Sequence, residues 1–498
     1  MSSLPVLAFA LPALLGLLLW LLRAPARTAW WTSLGGAAGF VALAAAMIAR
    51  AAEGRLLVHA FGGWRPPFGI VLVVDRLAAL FVLLLAVSFF WAVVALAPGR
   101  VGETVSRRAL PVLWLLVAGL VGAFQTGDLF NLFVMFELVL LASYLLLQVP
   151  GGLRALGAAL PNLLANLLAS LLFLVGAGLL YGATGTLSLA DLAGRIGSVP
   201  AGTRTAVLTL LVVAFGVKAG LVPVLFWLPA TYPTLSGPVA ALFAGMMTKL
   251  GVYALLRIAP ILLPGTALPG WLVAAGAVAA LLGVLGALAQ YEVRRLLGFH
   301  IVSQVGYMVL GLGLLTPAGL AGAVLYLSHH ILVKGALYLV ADELERRHGT
   351  RDLRGMGAGA PPLLAAAFGV AAASLAGLPP FSGFFAKVGL FLATVDARDW
   401  ASLAVLGVAS LLTLASMLKI WQLAFRGGGG EAGRGGRWPL APAGLAACSL
   451  ALALAAAPAW EYARATAAQL LDVESYRARV LAAPGLGSED LPDEEGEP

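Results

Sequence analysis

The chain has 498 residues, 61% of them hydrophobic and only 11% charged, with a formal net charge of +8 and a mean hydropathy of +0.97. A water-soluble domain cannot hide that much apolar surface, so the composition excludes a soluble globular protein and makes lipid the solvent. The basic residues are mostly arginines scattered through short loops, which excludes a nucleic-acid-binding face and reads as a membrane-orientation signal.

Hydrophobic runs recur near the ~20 residues that a helix needs to cross a bilayer. Fourteen are legible, at 4–22, 28–49, 76–97, 108–126, 128–149, 159–181, 204–229, 237–257, 270–289, 298–316, 318–344, 362–394, 400–425 and 438–459. Polar and apolar residues alternate too weakly for a β-barrel, whose strands are ~10-residue dyad-patterned segments. The fold class expected is an all-α polytopic membrane protein.

The first run, Pro5 to Leu22, lacks a basic segment before it and reads as a retained helix rather than a signal peptide. Residues 50–75, with Gly62, Gly63, Pro66, Pro67 and Gly69, form a long external loop suited to a hairpin. An external N-terminus puts the odd-numbered loops in the cytoplasm. These carry Arg23 and Arg27, Arg107 and Arg108, Arg294 and Arg295, and Arg346, Arg347, Arg351 and Arg354. Both termini are then outside.

The fifth span opens on Asp128, where a carboxylate suits the helix N-terminus. It then carries Glu137, read as the only acid in the middle of an apolar span. An ionisable group at mid-membrane costs roughly 2.5–3.5 kcal/mol, so Glu137 needs a polar partner. Lys218 in the seventh span is the candidate. All five lysines, Lys218, Lys249, Lys334, Lys387 and Lys419, lie inside apolar stretches, and lysine is the cation that burial can most readily deprotonate.

The seventh and twelfth spans are interrupted, one by Gly220 and Pro223, the other by Pro379 and Pro380. A proline inside a helix frees backbone groups, which membranes tolerate only where protein or water satisfies them again. Spans 4–8 and 9–13 therefore read as a repeat of five helices with discontinuous helices in matching places, a pattern of secondary transporters. The expected divisions are 1–107, an N-terminal three-helix segment; 108–257, a first proton-channel repeat; 258–425, a second repeat; and 426–498, a last helix with an acidic disordered tail.

Lys249 is central in the eighth span, with Thr248 beside it and Tyr253 one turn on. In the tenth, Ser303 and Gln304 could line a water wire, and His300 suits an interfacial position. In the eleventh, His330 and Lys334 are four apart and share a helix face, while His329 reads as a satisfied core histidine. Lys387 follows the second break, and Lys419 is expected to snorkel at the membrane boundary. Cys448 reads as a small buried hydrophobe. The segment Gly427 to Gly436 is expected to be a flexible loop, and Glu489 to Pro498 a disordered acidic tail. No metal site, cofactor or redox motif is legible.

Several stretches resemble the antiporter-like subunits shared by Mrp-type cation/proton antiporters and respiratory complex I, most of all the D branch of that family. They are Thr126 to Tyr144, Phe226-Trp227-Leu228-Pro229, Pro238 to Phe243 and Thr248 to Tyr253. The resemblance runs from the third span to about residue 425, and Tyr232 to Pro238 departs from it in lacking a double proline. It implies fourteen helices and two inverted five-helix bundles. It also implies a Glu–Lys pair at Glu137 and Lys218, a central lysine at Lys249, a histidine at His330 and a terminal lysine at Lys387. The function so implied is proton translocation within a multi-subunit Na+ (or K+)/H+ antiporter of a bacterial or archaeal cell membrane. Other membrane subunits, H+, Na+ or K+ and the lipid bilayer are the expected partners, and nucleic acid is not. The alternative is a proton-pumping subunit of an NADH or ferredoxin:quinone oxidoreductase.

Overall fold

The computed structural model describes residues 3–149, 153–427 and 439–483. The predicted Gly-rich loop, but for Gly427, and the acidic tail lie outside the described residues. In chain order the main helices are α1 (Leu4–Leu21), α2 (Ala26–Ala52), α3 (Arg76–Ala95), α4 (Glu103–Gln125), α5 (Leu129–Leu147) and α6 (Leu153–Thr184). They continue as α7 (Ala201–Ala219), α8 (Gly237–Leu262), α9 (Leu268–Leu288), α10 (Val293–Gly313), α11 (Pro317–His348), α12 (Pro362–Ala376) and α13 (Ser382–Asp396). The last four are α14 (Trp400–Phe425), α15 (Leu440–Leu454), α16 (Ala456–Leu471) and α17 (Val473–Leu481).

Among the described residues, 12 helices are long and apolar enough to cross a membrane, namely α1 to α11 and α14, and the pair α15–α16 makes a thirteenth if counted as one. The chain is a polytopic, almost wholly helical membrane protein. The predicted single span 438–459 differs from what is found: α15 ends at Leu454, the chain bends by 80°, and α16 follows. The predicted twelfth span is α12 and α13, two halves of 15 residues each, and neither alone reaches the ~20 residues of a crossing.

Both interruptions start the same way. Gly220 closes α7 in the left-handed conformation at φ 77°, and Gly377 closes α12 at φ 85°, a geometry that costs a residue with a Cβ and so favours glycine. The peptide bonds before Pro223 and Pro380 are cis. At each break the following turn closes the helix: the Leu221 amide donates to the Gly216 carbonyl and the Leu378 amide to that of Ala373.

Within the most apolar stretch of each helix, 28% of the residues are buried in the outer α1 and α2, whereas all are buried in α8 and α11 and 94% in α10. The molecule's axis is thus α8, α10 and α11, and most of the lysines sit on or against it. Small residues allow the close packing there. A Cβ at Gly251 of α8 would stand 2.6 Å from the backbone nitrogen of Ala219, so the helices of Lys249 and Lys218 touch backbone to backbone.

The predicted hairpin is present, with strand β1 (Leu57–Ala60) antiparallel to β2 (Val71–Val74) and Leu57 opposite Val74. It lies with residues 126–128 and Ser188 and with Val480 of α17. On the other face Arg100 meets Glu343, Arg294 meets Asp342, and Arg351 reaches the Pro233 carbonyl. The even-numbered and odd-numbered loops are thus gathered on separate faces, as alternate crossings require.

Candidate functional site

Asp128 caps α5 by accepting from the Asn131 amide at 2.8 Å, so its carboxylate serves the helix end. Two turns on, Glu137 stands half-buried on the same helix. Its partner is not Lys218 directly. Ser170 of α6 donates its hydroxyl to Glu137 Oε1, and Lys218 Nζ donates to Ser170 Oγ at 3.0 Å. A hydroxyl both accepts and donates, so the three side chains form one directional wire from ammonium to carboxylate. The Lys218 ammonium also lies 4.8 Å from the centre of the Phe136 ring, a cation–π distance.

Lys218 occupies the last turn of α7. Gly220, two residues on, faces Thr248, whose Cγ2 would lie 3.7 Å from a Cβ at that position. Thr248 Oγ1 is buried without a protein partner and precedes Lys249, but only its methyl faces Gly220, so the two lysine helices meet there without a hydrogen bond between the lysines. Lys249 Nζ donates to the Ala244 carbonyl of its own helix. Its electrostatic neighbours are His330 and Lys334. Neither ring nitrogen of His330 has a protein partner, and Lys334 donates to the Leu297 carbonyl at 3.3 Å. Lys334 therefore neighbours His330 without holding it by a hydrogen bond.

The series continues into the second half of the chain. His300, expected at an interface, is wholly buried and pairs through Nε2 with Ser416 Oγ at 2.8 Å. His329, expected as a satisfied core residue, meets Ser382 Oγ with Nδ1 at 3.2 Å, while its Nε2 has no partner. Ser382 continues to Ser449 at 2.9 Å. Both histidines lie within electrostatic reach of Lys334 and Lys387. Lys387 Nζ, carried by α13, donates back across the break to the Ala376 carbonyl at 2.8 Å. It also lies 5.3 Å from the Tyr307 ring. Gln304 accepts from the Tyr326 hydroxyl and touches Ser303 at 3.5 Å.

Lys419 is a correction. Its ammonium binds the Leu288 and Gln290 carbonyls at 2.9 and 2.6 Å, the C-terminal end of α9, and stands 3.8 Å from the Tyr291 ring centre. It caps a helix rather than snorkelling freely, because unpaired terminal carbonyls attract a cation. Cys448 is half-buried rather than buried.

Sequence reasoning missed two ionic assemblies. On the hairpin face, Arg257 of α8 forms a two-pronged pair with Asp75, one contact at 2.9 Å, and donates to the Tyr253 hydroxyl at 2.8 Å. Burial alone would raise the Asp75 carboxyl, but the Arg257 guanidinium and the amide of Ala78 bring it below its ordinary value. Lys249, Tyr253 and Arg257 follow at intervals of four, one stripe of α8 running from the central lysine to this pair.

The second assembly lies on the opposite face, at the end of α11, so it leaves Glu137 the acid of mid-span. Helix α11 runs on to His348 and buries Asp342 and Glu343. Arg294 and Arg346 each hold Asp342 at 3.0 Å, and Arg100 holds Glu343 at 2.9 Å. The signal available in the sequence was the density of arginine around Glu343 and Glu345. Among the described residues no group of three or more His, Cys, Asp or Glu is placed to hold a metal ion.

Residues 126–413 match the family described as NADH:quinone oxidoreductase/Mrp antiporter, TM. The chain is 40% identical over 443 residues to the D-type subunit of the Na+/H+ antiporter of Alkalihalophilus pseudofirmus, covering 86% of this chain and 88% of that one. It is 39% identical to the D-type subunit of a probable K+/H+ antiporter of Rhizobium meliloti, covering 87% and 88%. Among solved structures it superposes on a chain of the Mrp complex from Dietzia sp. with a TM-score of 0.89 at 33% identity, covering 97% and 100%. A chain of respiratory complex I from Thermus thermophilus gives 0.82 at 28% identity, covering 94% and 99%.

Proposed function

The chain belongs to the NADH:quinone oxidoreductase/Mrp antiporter membrane family, and on that footing we propose that it is the proton-translocating subunit of a multi-subunit Na+ (or K+)/H+ antiporter. The observation that carries this reading is the hydrogen-bonded wire Glu137–Ser170–Lys218, whose helix α7 packs directly on α8, the carrier of Lys249, with His330, Lys334 and Lys387 buried beyond it. Ionisable groups within a bilayer are costly, rare and typical of proton and ion pathways. Buried polar atoms without protein partners, such as both nitrogens of His330 and Thr248 Oγ1, are those that internal water satisfies.

A proton passes from Lys218 to Ser170 as the serine proton passes to Glu137, and the reverse recharges the lysine. Separation of charge in this triad favours release at Lys249, and the same logic moves charge through His330 and Lys334 to Lys387. The breaks at Gly220–Pro223 and Pro379–Pro380 supply the irregular backbone that lines the route. The chain works as a transporter subunit of a bacterial membrane with both termini outside. The partners are the other membrane subunits, H+ and Na+ or K+. The repeats are α4–α8 and α9–α14, with α12 and α13 as the two halves of one broken helix.

Exchange measured in vesicles carrying the complete complex tests the reading: Glu137→Gln is expected to abolish Na+- and K+-driven proton movement while the complex still assembles. Full exchange in that variant ends the proposal. The second reading, a pumping subunit of a quinone oxidoreductase, is favoured by the likeness to complex I. Co-purification of this chain with iron–sulfur or flavin subunits would establish it in place of the antiporter.

A further inference from the structure

We propose that the groove between α1 and α4 at the face of the odd-numbered loops binds one anionic phospholipid, its phosphate held by Arg23, Arg107 and Arg108. The groove has a volume of about 580 Å³ and is lined by those arginines together with Leu19, Trp20 and Val112. Helices α1 and α4 meet tightly at Gly16, where a Cβ would lie 3.0 Å from the Pro111 carbonyl oxygen, and the groove lies beyond that contact. Its lining combines apolar side chains with the three arginines. A phospholipid has that polarity.

The charges decide the class of ligand. On the same face Arg100, Arg294, Arg346, Arg347, Arg351 and Arg354 each hold a carboxylate within 4 Å. Arg23, Arg107 and Arg108 make no ion pair among the described residues. Glu103 stands one helical turn before Arg107, the spacing of an intrahelical pair, yet Arg107 lines the groove instead. Three cations converge on one opening with no protein anion to neutralise them, and an acidic headgroup at the membrane surface supplies the missing charge. Trp20 is 63% exposed beside them, at the level where amphipathic aromatics meet headgroups. Basic pockets between spanning helices on the cytoplasmic side select phosphatidylglycerol- or cardiolipin-type lipids over zwitterionic ones.

The test uses the complete complex, reconstituted with phosphatidylglycerol and phosphatidylcholine in equal amounts and followed by native mass spectrometry. The intact complex is expected to retain phosphatidylglycerol selectively, and Arg107→Ala with Arg108→Ala to lower that preference about five-fold for each arginine removed. Equal retention by the intact and altered complexes overturns the proposal. A photo-reactive residue in place of Trp20, which leaves all three arginines intact, is expected to label phosphatidylglycerol. Labelling of a neighbouring protein subunit instead overturns the proposal as well, and this arm stands even if the double substitution impairs assembly.

Discussion

The two broken helices begin alike and hold their lysines differently. At the first, Lys218 sits in the last turn before Gly220 and reaches Glu137 through Ser170, so its charge faces a titratable acid on another helix. At the second, Lys387 follows the break and reaches back to the Ala376 carbonyl, so its charge faces the fixed partial charge of a helix end. One lysine has a partner that can gain or lose a proton. The other has a partner that cannot. The same backbone device thus sets one lysine against a titratable acid in the first half of the chain and the other against a fixed helix-end carbonyl in the second.

The largest expected effect breaks the first site. Glu137→Gln or Lys218→Ala should remove exchange entirely in vesicles, because the wire loses one end, and retained exchange would erase the distinction between the two lysines. Next comes Lys387→Arg. Arginine can satisfy the Ala376 carbonyl but stays charged, so the complex should assemble while exchange falls at least about ten-fold, the equivalent of ~1.4 kcal/mol. Normal exchange in that variant would mean that Lys387 acts only as a structural cap. Ser170→Ala removes a hydrogen bond to charged groups, worth ~1.5–3 kcal/mol, and should slow exchange roughly ten-fold or more while leaving Glu137 and Lys218 in place.

Smaller effects sharpen the comparison through the backbone. Gly220→Ala and Gly377→Ala should each cost ~1–2 kcal/mol for the left-handed conformation. Gly377→Ala should lower the melting temperature further, because its Cβ would meet Lys387 Cδ at 2.6 Å, whereas that of Gly220 would meet Leu228 at 3.1 Å. The reverse order would show that Lys387 is the more mobile of the two lysines. The smallest change expected is Lys419→Ala, about 1 kcal/mol of stability from a helix-end contact, with exchange within two-fold of normal.

The sequence carried the helices and both breaks plainly, because length, apolarity, glycine and proline are local properties. It also placed Glu137, Lys218, Lys249, His330 and Lys387 on the right elements, since a charged residue inside an apolar run stands out. Ser170 did not stand out. A serine in a membrane helix can bond its own backbone, so nothing local marks it as the link between two others.

Asp75 and Arg257 lie 182 positions apart, and each looks like an ordinary residue at a span end. Only the fold brings them together. Asp342 and Glu343 lie at the end of the predicted eleventh span, where acids read as ordinary boundary residues, and only the arginines brought in from distant loops show them as a buried assembly. The bend between α15 and α16 had a local mark that sequence reasoning passed over, Pro458, whose ring and missing N–H oppose a continuous helix through Leu454; α16 then packs onto α3 and α11.

That packing has a consequence for the order in which the protein is made. Arg76, at the start of α3, gives its backbone amide to Gln469 and its carbonyl to Tyr462, partners 393 and 386 positions later in the chain. At a synthesis rate of ~5–20 residues per second, about 390 residues occupy roughly 20–80 seconds. Through that interval the hairpin, and the Asp75–Arg257 pair once Arg257 has been made 182 positions later, stand without the cover of α16 and α17, and the hairpin face is finished only when those helices leave the ribosome. A chain truncated before Tyr462 should therefore insert all its earlier helices yet be cut faster by added protease at Val71–Val74, the strand that is buried in the full chain.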